Sequence, residues 1–221
     1  MGLFDKFKKT KESANKETAY PSALGWEAIT AEFERIYPNQ MNPKHYGTLI
    51  KWSLGGKDPL DGISIYDGGD YWHFVTYGMT ELYEEKEGND GISGFGYEMT
   101  FKLKKDNYPD EEGECRCICG ILQAIARITF QNGELFRPYE FLYTGQTTGI
   151  DAYQKSNITG FICVPDPSVN TIETLNGKVE FLEFIGMTDA ELKTLDSSQS
   201  VKDIYARLGS DITDYNRRSL V

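Results

Sequence analysis

Histidine is nearly absent from this chain: among 221 residues there are two, His45 and His73. Cysteine is sparse as well, with Cys115, Cys117 and Cys119 close together and Cys163 apart. Basic residues are in deficit, 23 Lys and Arg against 34 Asp and Glu, for a net charge of −11. Long apolar runs are missing altogether. Each shortage excludes something. Without Lys and Arg to neutralise phosphates, an acidic domain is poorly suited to nucleic acid. No stretch has the length of a membrane span, and the N-terminus has no apolar h-region of a secretory signal. Gly2 does not complete a myristoylation motif, because Lys6 stands where Ser or Thr is needed. The C-x-C-x-C spacing differs from the C-x-x-C of zinc ribbons and redox sites. On a helix it puts Cys115 and Cys119 on one face and Cys117 on another. With no secretory signal, these read as reduced thiols in a cytoplasm.

What is present is a globular composition. Aromatic residues make up 13% of the chain, with 14 Tyr, 12 Phe and 3 Trp. A chain of this length buries roughly 70% of its unfolded surface, so it needs no disulfide or structural metal. The acidic balance keeps the protein in solution and also steers it toward basic protein partners.

Residues 1–20 read as a polar leader. Leu3, Phe4 and Phe7 beside four lysines make it weakly amphipathic. Trp26, Ile29, Phe33, Ile36 and Tyr37 then recur at helical spacing, between a candidate Ser22 cap and Pro38. Strands are expected at Thr48–Leu54, at Ile63–Tyr66 and at Trp72–Tyr77. Phe95–Leu103 alternates apolar and polar residues, the signature of a strand with one face packed and the other in water. A charged loop over 104–114 precedes a second helix, on which Ile118, Ile121, Leu122, Ile125 and Ile128 form a stripe ended by Asn132-Gly133. Residues 139–160 are read as mostly loop. Phe161–Val164 forms a strand, and Asn176-Gly177 turns the chain into the strand VEFLEFIGM. Thr188 with Glu191 is a capping box, and Ser200 is expected to cap a last helix ending at Gly209. Runs of strands with helices before, between and after them indicate an α+β domain. Its sheet is expected to be central, mixed and largely antiparallel, with helices on its flanks.

The chemistry-bearing motifs are few. There is no G-x-S-x-G, H-E-x-x-H, P-loop or G-x-G-x-x-G. The glycine-rich stretch Gly91–Gly96 leads into a strand, where a phosphate cradle leads into a helix. Asp58, Asp61, Asp67 and Asp70 crowd one region, but their spacing is that of turns, not of a calcium loop. A hydrolase reading would require His73 in one cleft with several of these aspartates. The run from Glu81 to Asp90 is acidic and contains Leu82 and Tyr83. Such a loop fits partner binding, with Glu84 and Glu85 orienting and Tyr83 anchoring.

In order along the chain stand GWEAI at 25–29, IYPNQMNP at 36–43 and LGGKDPLDGISIY at 54–66. WHFVTYGMTELY at 72–83 and GISGFGYEMTFKLK at 91–104 follow, then QAIARITFQ, VPDP, VEFLEFIGMTDAEL and ITDYNRRSL. This ordered set resembles the Suppressor of fused domain over about nine-tenths of the chain, here residues 21–221. The resemblance implies a domain with a central mixed sheet that binds protein, without known catalysis, cofactor or metal. Animal members pair it with a second domain and clamp a Gli transcription-factor peptide between the two by β-strand addition. Tyr83 and Asp90 match positions that face that peptide. The similarity covers the first of the two domains, up to Val221. Single-domain members occur in bacteria, where they are proposed immunity proteins against polymorphic toxins. The resemblance therefore implies a bacterial cytoplasmic binder of a protein toxin. A scaffold or regulator that binds a cellular protein's peptide stays open beside it, as does the hydrolase reading.

Overall fold

The computed structural model describes residues 23–83 and 91–221. In chain order the elements are α1 (Leu24–Ile36), β1 (Lys44–Gly47), a 3-10 turn (Trp52–Leu54), β2 (Gly62–Asp67), β3 (Tyr71–Tyr77) and β4 (Ile92–Lys104). Then come α2 (Glu111–Asn132), β5 (Glu140–Leu142), β6 (Ile158–Pro165), β7 (Ile172–Thr174), β8 (Gly177–Thr188), α3 (Asp189–Leu192) and α4 (Ser198–Leu208). All eight strands join one sheet in the order β1-β2-β3-β4-β8-β6-β5, with β7 added to β8. Among these described strands the central pair, β4 with β8, is parallel and the other pairings are antiparallel. The fold is thus the expected α+β domain with a mixed, largely antiparallel sheet.

Helices cover both faces. On one, α2 lays Ile118, Leu122 and Ile125 against Ile65, Phe74, Phe101 and Phe184. The other face carries two separate apolar clusters. Ile29 and Phe33 of α1 pack on Tyr66, Val75, Tyr77 and Phe181, while Val201 and Ile204 of α4 pack on Ile162, Val164 and Ile185. Strand β8 shows why there are two. Its residues on this face are Val179, Phe181, Glu183, Ile185 and Met187, so a carboxylate interrupts the apolar row at its centre.

This double cover corrects the reading of β4. Its alternate residues Glu98, Thr100 and Lys102 were expected in water, yet they are 0%, 0% and 1% exposed. Helices α1, α3 and α4 close that face, and the polar side chains find their partners inside it. The expected strand at Thr48–Leu54 is instead a loop with one 3-10 turn, and the edge strand lies earlier, at Lys44–Gly47. Apolar Leu49, Ile50 and Leu54 imitated a strand but are exposed. Helix α2 begins inside the supposed charged loop, capped by the Asp110 carboxylate on the Gly113 N–H. Short β5 lies in the segment read as loop. The last helix is capped by Ser197, with Ser200 as the reciprocal member of its capping box. The Ser22 cap lies outside the described residues, as does the leader; the cap position itself is Ala23.

Beyond the Thr100–Glu183 pair, β4 and β8 separate, and the C-terminal strap enters the gap. Thr213 donates its N–H to the Lys102 carbonyl at 2.8 Å and accepts from the Lys104 N–H at 2.9 Å. Its hydroxyl accepts from the Gly186 N–H on the β8 side at 2.9 Å. One residue thereby completes the backbone pairing of both central strands.

Truncating Phe74, which is fully buried, to Ala is expected to cost about 3–5 kcal/mol of unfolding free energy. Leu49→Ala, at a fully exposed position, is expected to change it by less than about 0.5 kcal/mol. Urea unfolding of both variants checks the assignment, and a large loss at Leu49 would restore it to the core.

Candidate functional site

Two polar constellations stand out, one buried and one at the end of the sheet. The buried one fills the space between the α1 and α4 clusters. The Lys102 ammonium lies 3.0 Å from Asp166 Oδ1, 3.0 Å from Glu183 Oε2 and 2.6 Å from Asp211 Oδ2. Ligand oxygens of the three carboxylates lie within 4.8 Å of one another, a spacing suited to a cation. The cation they enclose is lysine. Asp166 also accepts from the Thr100 hydroxyl at 2.7 Å and bonds His73 Nε2 at 2.9 Å. His73 Nδ1 is 2.8 Å from the Tyr37 hydroxyl, which lies at the end of α1.

Burial weighs against the charge on every member, and the partners decide which stay charged. For Asp166, burial alone would raise the pKa, but His73, Lys102 and Thr100 hold it well below the usual carboxylate range. Burial pushes Lys102 down, and the charges of Glu183 and Asp166 more than reverse this. His73 is pushed down by burial despite Asp166, and Glu183 is pushed well up by burial and by Asp166. A neutral His73 beside an ionised Asp166 fixes the tautomer: Nε2–H donates to Asp166, and Nδ1 accepts from the Tyr37 hydroxyl. Both ring nitrogens are engaged, and the ring is fully buried. It is not available as a general base to a substrate in solvent.

The histidine-aspartate cleft that a hydrolase would need is therefore not assembled. Asp58 pairs with Arg127 at 2.7 Å, and Asp61 with Lys51 at 3.2 Å. Asp67 pairs with Lys105, whose N–H bonds the Asp70 carbonyl at 2.7 Å. The carboxylate on His73 comes from Asp166, 93 residues away. The cysteines behave as core residues: Cys115 and Cys119 face the sheet, and burial raises their thiols to about 11 and about 12. Cys117 points elsewhere, its thiol 3.1 Å from the Ile150 carbonyl.

The second constellation surrounds Tyr83, in the segment after β3. Buried Glu98 shapes that segment. Its carboxylate accepts the N–H groups of Gly78, Met79 and Thr80 at 3.0–3.3 Å and the hydroxyls of Thr76 and Thr80 at 2.6 Å. Farther along, Ser93 Oγ accepts the Glu81 N–H, and Asn176 donates to the carbonyls of Glu81 and Tyr83. Gly25 and Trp26 of α1 both donate their N–H to the Leu82 carbonyl. A side chain at position 25 would collide with the Glu81 carbonyl, so glycine lets α1 approach this closely. Half-buried Tyr83 is therefore presented on a fixed backbone. Its hydroxyl donates to Asp61 Oδ2 at 2.5 Å, and Lys51 Nζ sits 3.7 Å above its ring. These groups border a cleft of about 520 Å³ with Trp52, Pro59 and Phe95. Glu84, Glu85 and Asp90, the other expected partner-binding residues, lie outside the described residues.

Sequence reasoning missed Lys102, Asp166, Glu183 and Asp211. The available signal was Glu183 in the middle of an apolar row on β8.

The geometry defines a helix-covered mixed-sheet domain with an internal ion cluster and a braced tyrosine at one end. A family model described as Suppressor of fused protein (SUFU) matches residues 56–218, and the chain belongs to that family. Suppressor of fused homologs of Homo sapiens and Mus musculus are each 32% identical over 181 residues. The match takes in 76% of this chain but only 36% of either relative's length. A crystal structure of a Sufu–Fu complex superposes at TM-score 0.75 and 28% identity, covering 90% of this chain and 92% of that one. Drosophila Suppressor of Fused gives TM-score 0.75 at 27% identity, over 90% of this chain and 51% of that one. A homolog from Neisseria gonorrhoeae shares the fold at TM-score 0.55 and 13% identity, over 89% and 97% of the two chains. No helix among the described residues is long and apolar enough to cross a membrane.

The Glu98 carboxyl is pushed by burial from 4.5 up to about 7, against the pull of its hydroxyl and N–H donors. A carboxyl whose folded pKa is raised contributes stability that is complete below its unfolded pKa. That contribution is lost as pH rises from about 4.5 through about 7. A ¹³C titration of the Glu98 carboxyl carbon is expected to show a midpoint near 7; one near 4.5 would mean the donors prevail.

Proposed function

We propose that this chain is a non-enzymatic protein-binding module whose contact surface includes Tyr83. The observation that carries the proposal is the bracing of residues 78–83. Glu98, Ser93, Asn176 and the start of α1 all bond that backbone, while Tyr83 borders an open cleft. A rigid aromatic anchor on a preorganised backbone is the chemistry of a binding hot spot. Support also comes from the Sufu–Fu complex, in which a chain of nearly the same extent is bound to a protein. By contrast, the one carboxylate bonded to His73 is used internally.

In this reading Glu84 and Glu85, which follow Tyr83 in sequence, and Asp90 contribute carboxylates that select a basic partner, in keeping with the net charge of −11. The finer proposal is immunity: the chain acts in a bacterial cytoplasm and neutralises a basic protein toxin. A second reading, a regulator that takes up a cellular peptide by strand addition, draws on β1. Among the described residues that edge strand pairs only with β2.

Co-expression with the product of a toxin gene adjacent to its own is expected to yield a stoichiometric complex. Tyr83→Ala or Asp90→Ala is expected to weaken that complex at least about 30-fold, as loss of a hot spot does. Thermal unfolding of each variant, with Tyr83→Phe as a milder change, separates lost binding from lost folding. A complex that forms with unchanged affinity in both alanine variants would remove residues 83–90 from the interface. A partner unconnected with toxins would select the regulator reading.

A further inference from the structure

The parallel pairing of β4 and β8 is interrupted near its start. Ile92 pairs with Lys178 and Tyr97 with Glu180, so four residues of β4 face a single residue of β8. Gly94 and Gly96, at φ +53° and +88°, allow the wide bulge that results. At the opposite end of this strand pair the gap is filled by Thr213. Here a cleft of about 520 Å³ lies open beside the bulge. Phe95, Phe136, Phe181 and Leu182 line it, and exposed Ile92 and Leu135 stand on its rim.

The charges around this cleft are unevenly satisfied. Lys178 and Glu180 pair with each other. Asp166 is engaged by His73, Thr100 and Lys102. Glu140 uses its carboxylate on the Arg137 backbone N–H at 2.9 Å. Exposed Arg137 is among the residues that line the cleft, and its guanidinium has no hydrogen bond or ion pair among the described residues. A largely apolar cavity of this size with one unpaired arginine in its lining has the composition of a small-ligand site. On a chain of net charge −11, a free cation at an apolar opening selects for the opposite charge.

We propose that this cleft binds a small amphipathic carboxylate. Its hydrocarbon body would lie among Phe95, Phe136, Phe181 and Leu182, and its carboxylate would meet Arg137. Phe95 lines both this cleft and the Tyr83 cleft, and it is the one residue they share. The site does not depend on what Tyr83 binds.

The probe is octanoate, with octan-1-ol and octylammonium as neutral and cationic counterparts, titrated into the full chain by NMR. Octanoate is expected to give saturable shifts at Phe95, Leu135, Phe136 and Phe181, with affinity in the order carboxylate, alcohol, ammonium. Arg137→Glu, at an exposed loop position, is expected to weaken octanoate at least about tenfold and to leave octan-1-ol unchanged. Leu135→Trp, which crowds the rim, is expected to weaken all three. Equal affinity for octanoate and octylammonium would overturn the proposal, and so would shifts that do not saturate or that map to another face. Octanoate binding that survives Arg137→Glu would overturn it as well.

Discussion

A lysine ammonium enclosed by three carboxylates sits where the helices on one face of the sheet leave a gap. Lys102 is 1% exposed, and Asp166 and Glu183 are buried with it. Stripping water from these three ionisable groups costs several kcal/mol per charge and is repaid only by close geometry and further hydrogen bonds. Asp166 meets both requirements, whereas Glu183 Oε1 has no hydrogen-bond partner among the described residues. The two ion pairs to buried carboxylates are 3.0 Å long, and Asp166 has bonds from His73, Thr100 and the Ser168 N–H besides. Glu183 resolves the surplus of negative charge by having its pKa raised, so the cluster need not hold three full carboxylate charges.

Each branch of the cluster reaches a different part of the fold. Through His73 and Tyr37 it fixes the end of α1, and through Asp166 it holds the loop that follows β6. That loop is tied again to α1, where Glu32 accepts the Asn170 N–H at 2.6 Å. Through Asp211 the cluster draws in the C-terminal strap, whose Thr213 fills the gap between β4 and β8. The strap is secured farther along by Arg217, bonded to Glu191 and to the Gly186 carbonyl. The two apolar clusters on this face share no helix, and the polar cluster joins them through the sheet. Directional polar contacts of this kind fix one register where hydrophobic packing alone tolerates several.

The sequence made local elements legible where periodicity and punctuation agreed. Helix α1, the stripe of α2, strands β2 and β3, the Asn176-Gly177 hairpin and the Thr188 capping box all stand where their patterns placed them. Thr48–Leu54 misled because an apolar composition in a loop is indistinguishable by local pattern from a short strand. Lys44–Gly47 is a strand with too few apolar residues to announce itself. The larger miss was on β4, since alternation reports two unlike faces and does not say that the polar one is wet. Glu98, Thr100 and Lys102 have partners that come from distant positions, and a single sequence does not display such pairings. Within the candidate site, Tyr83 was legible through its loop and its resemblance. The glutamate that shapes its backbone was legible only as part of a strand.

The Lys102 cluster is a structural element that ties the helices of one sheet face to the C-terminal strap. Unfolding of Lys102→Met, compared with Lys104→Met two residues along the same strand, tests this most directly. Removing the buried cation leaves carboxylates unpaired in the interior, so Lys102→Met is expected to lose about 3–5 kcal/mol. The exposed Lys104 pair with Asp214 is expected to matter little. A Lys102→Met variant as stable as the parent chain would contradict the account.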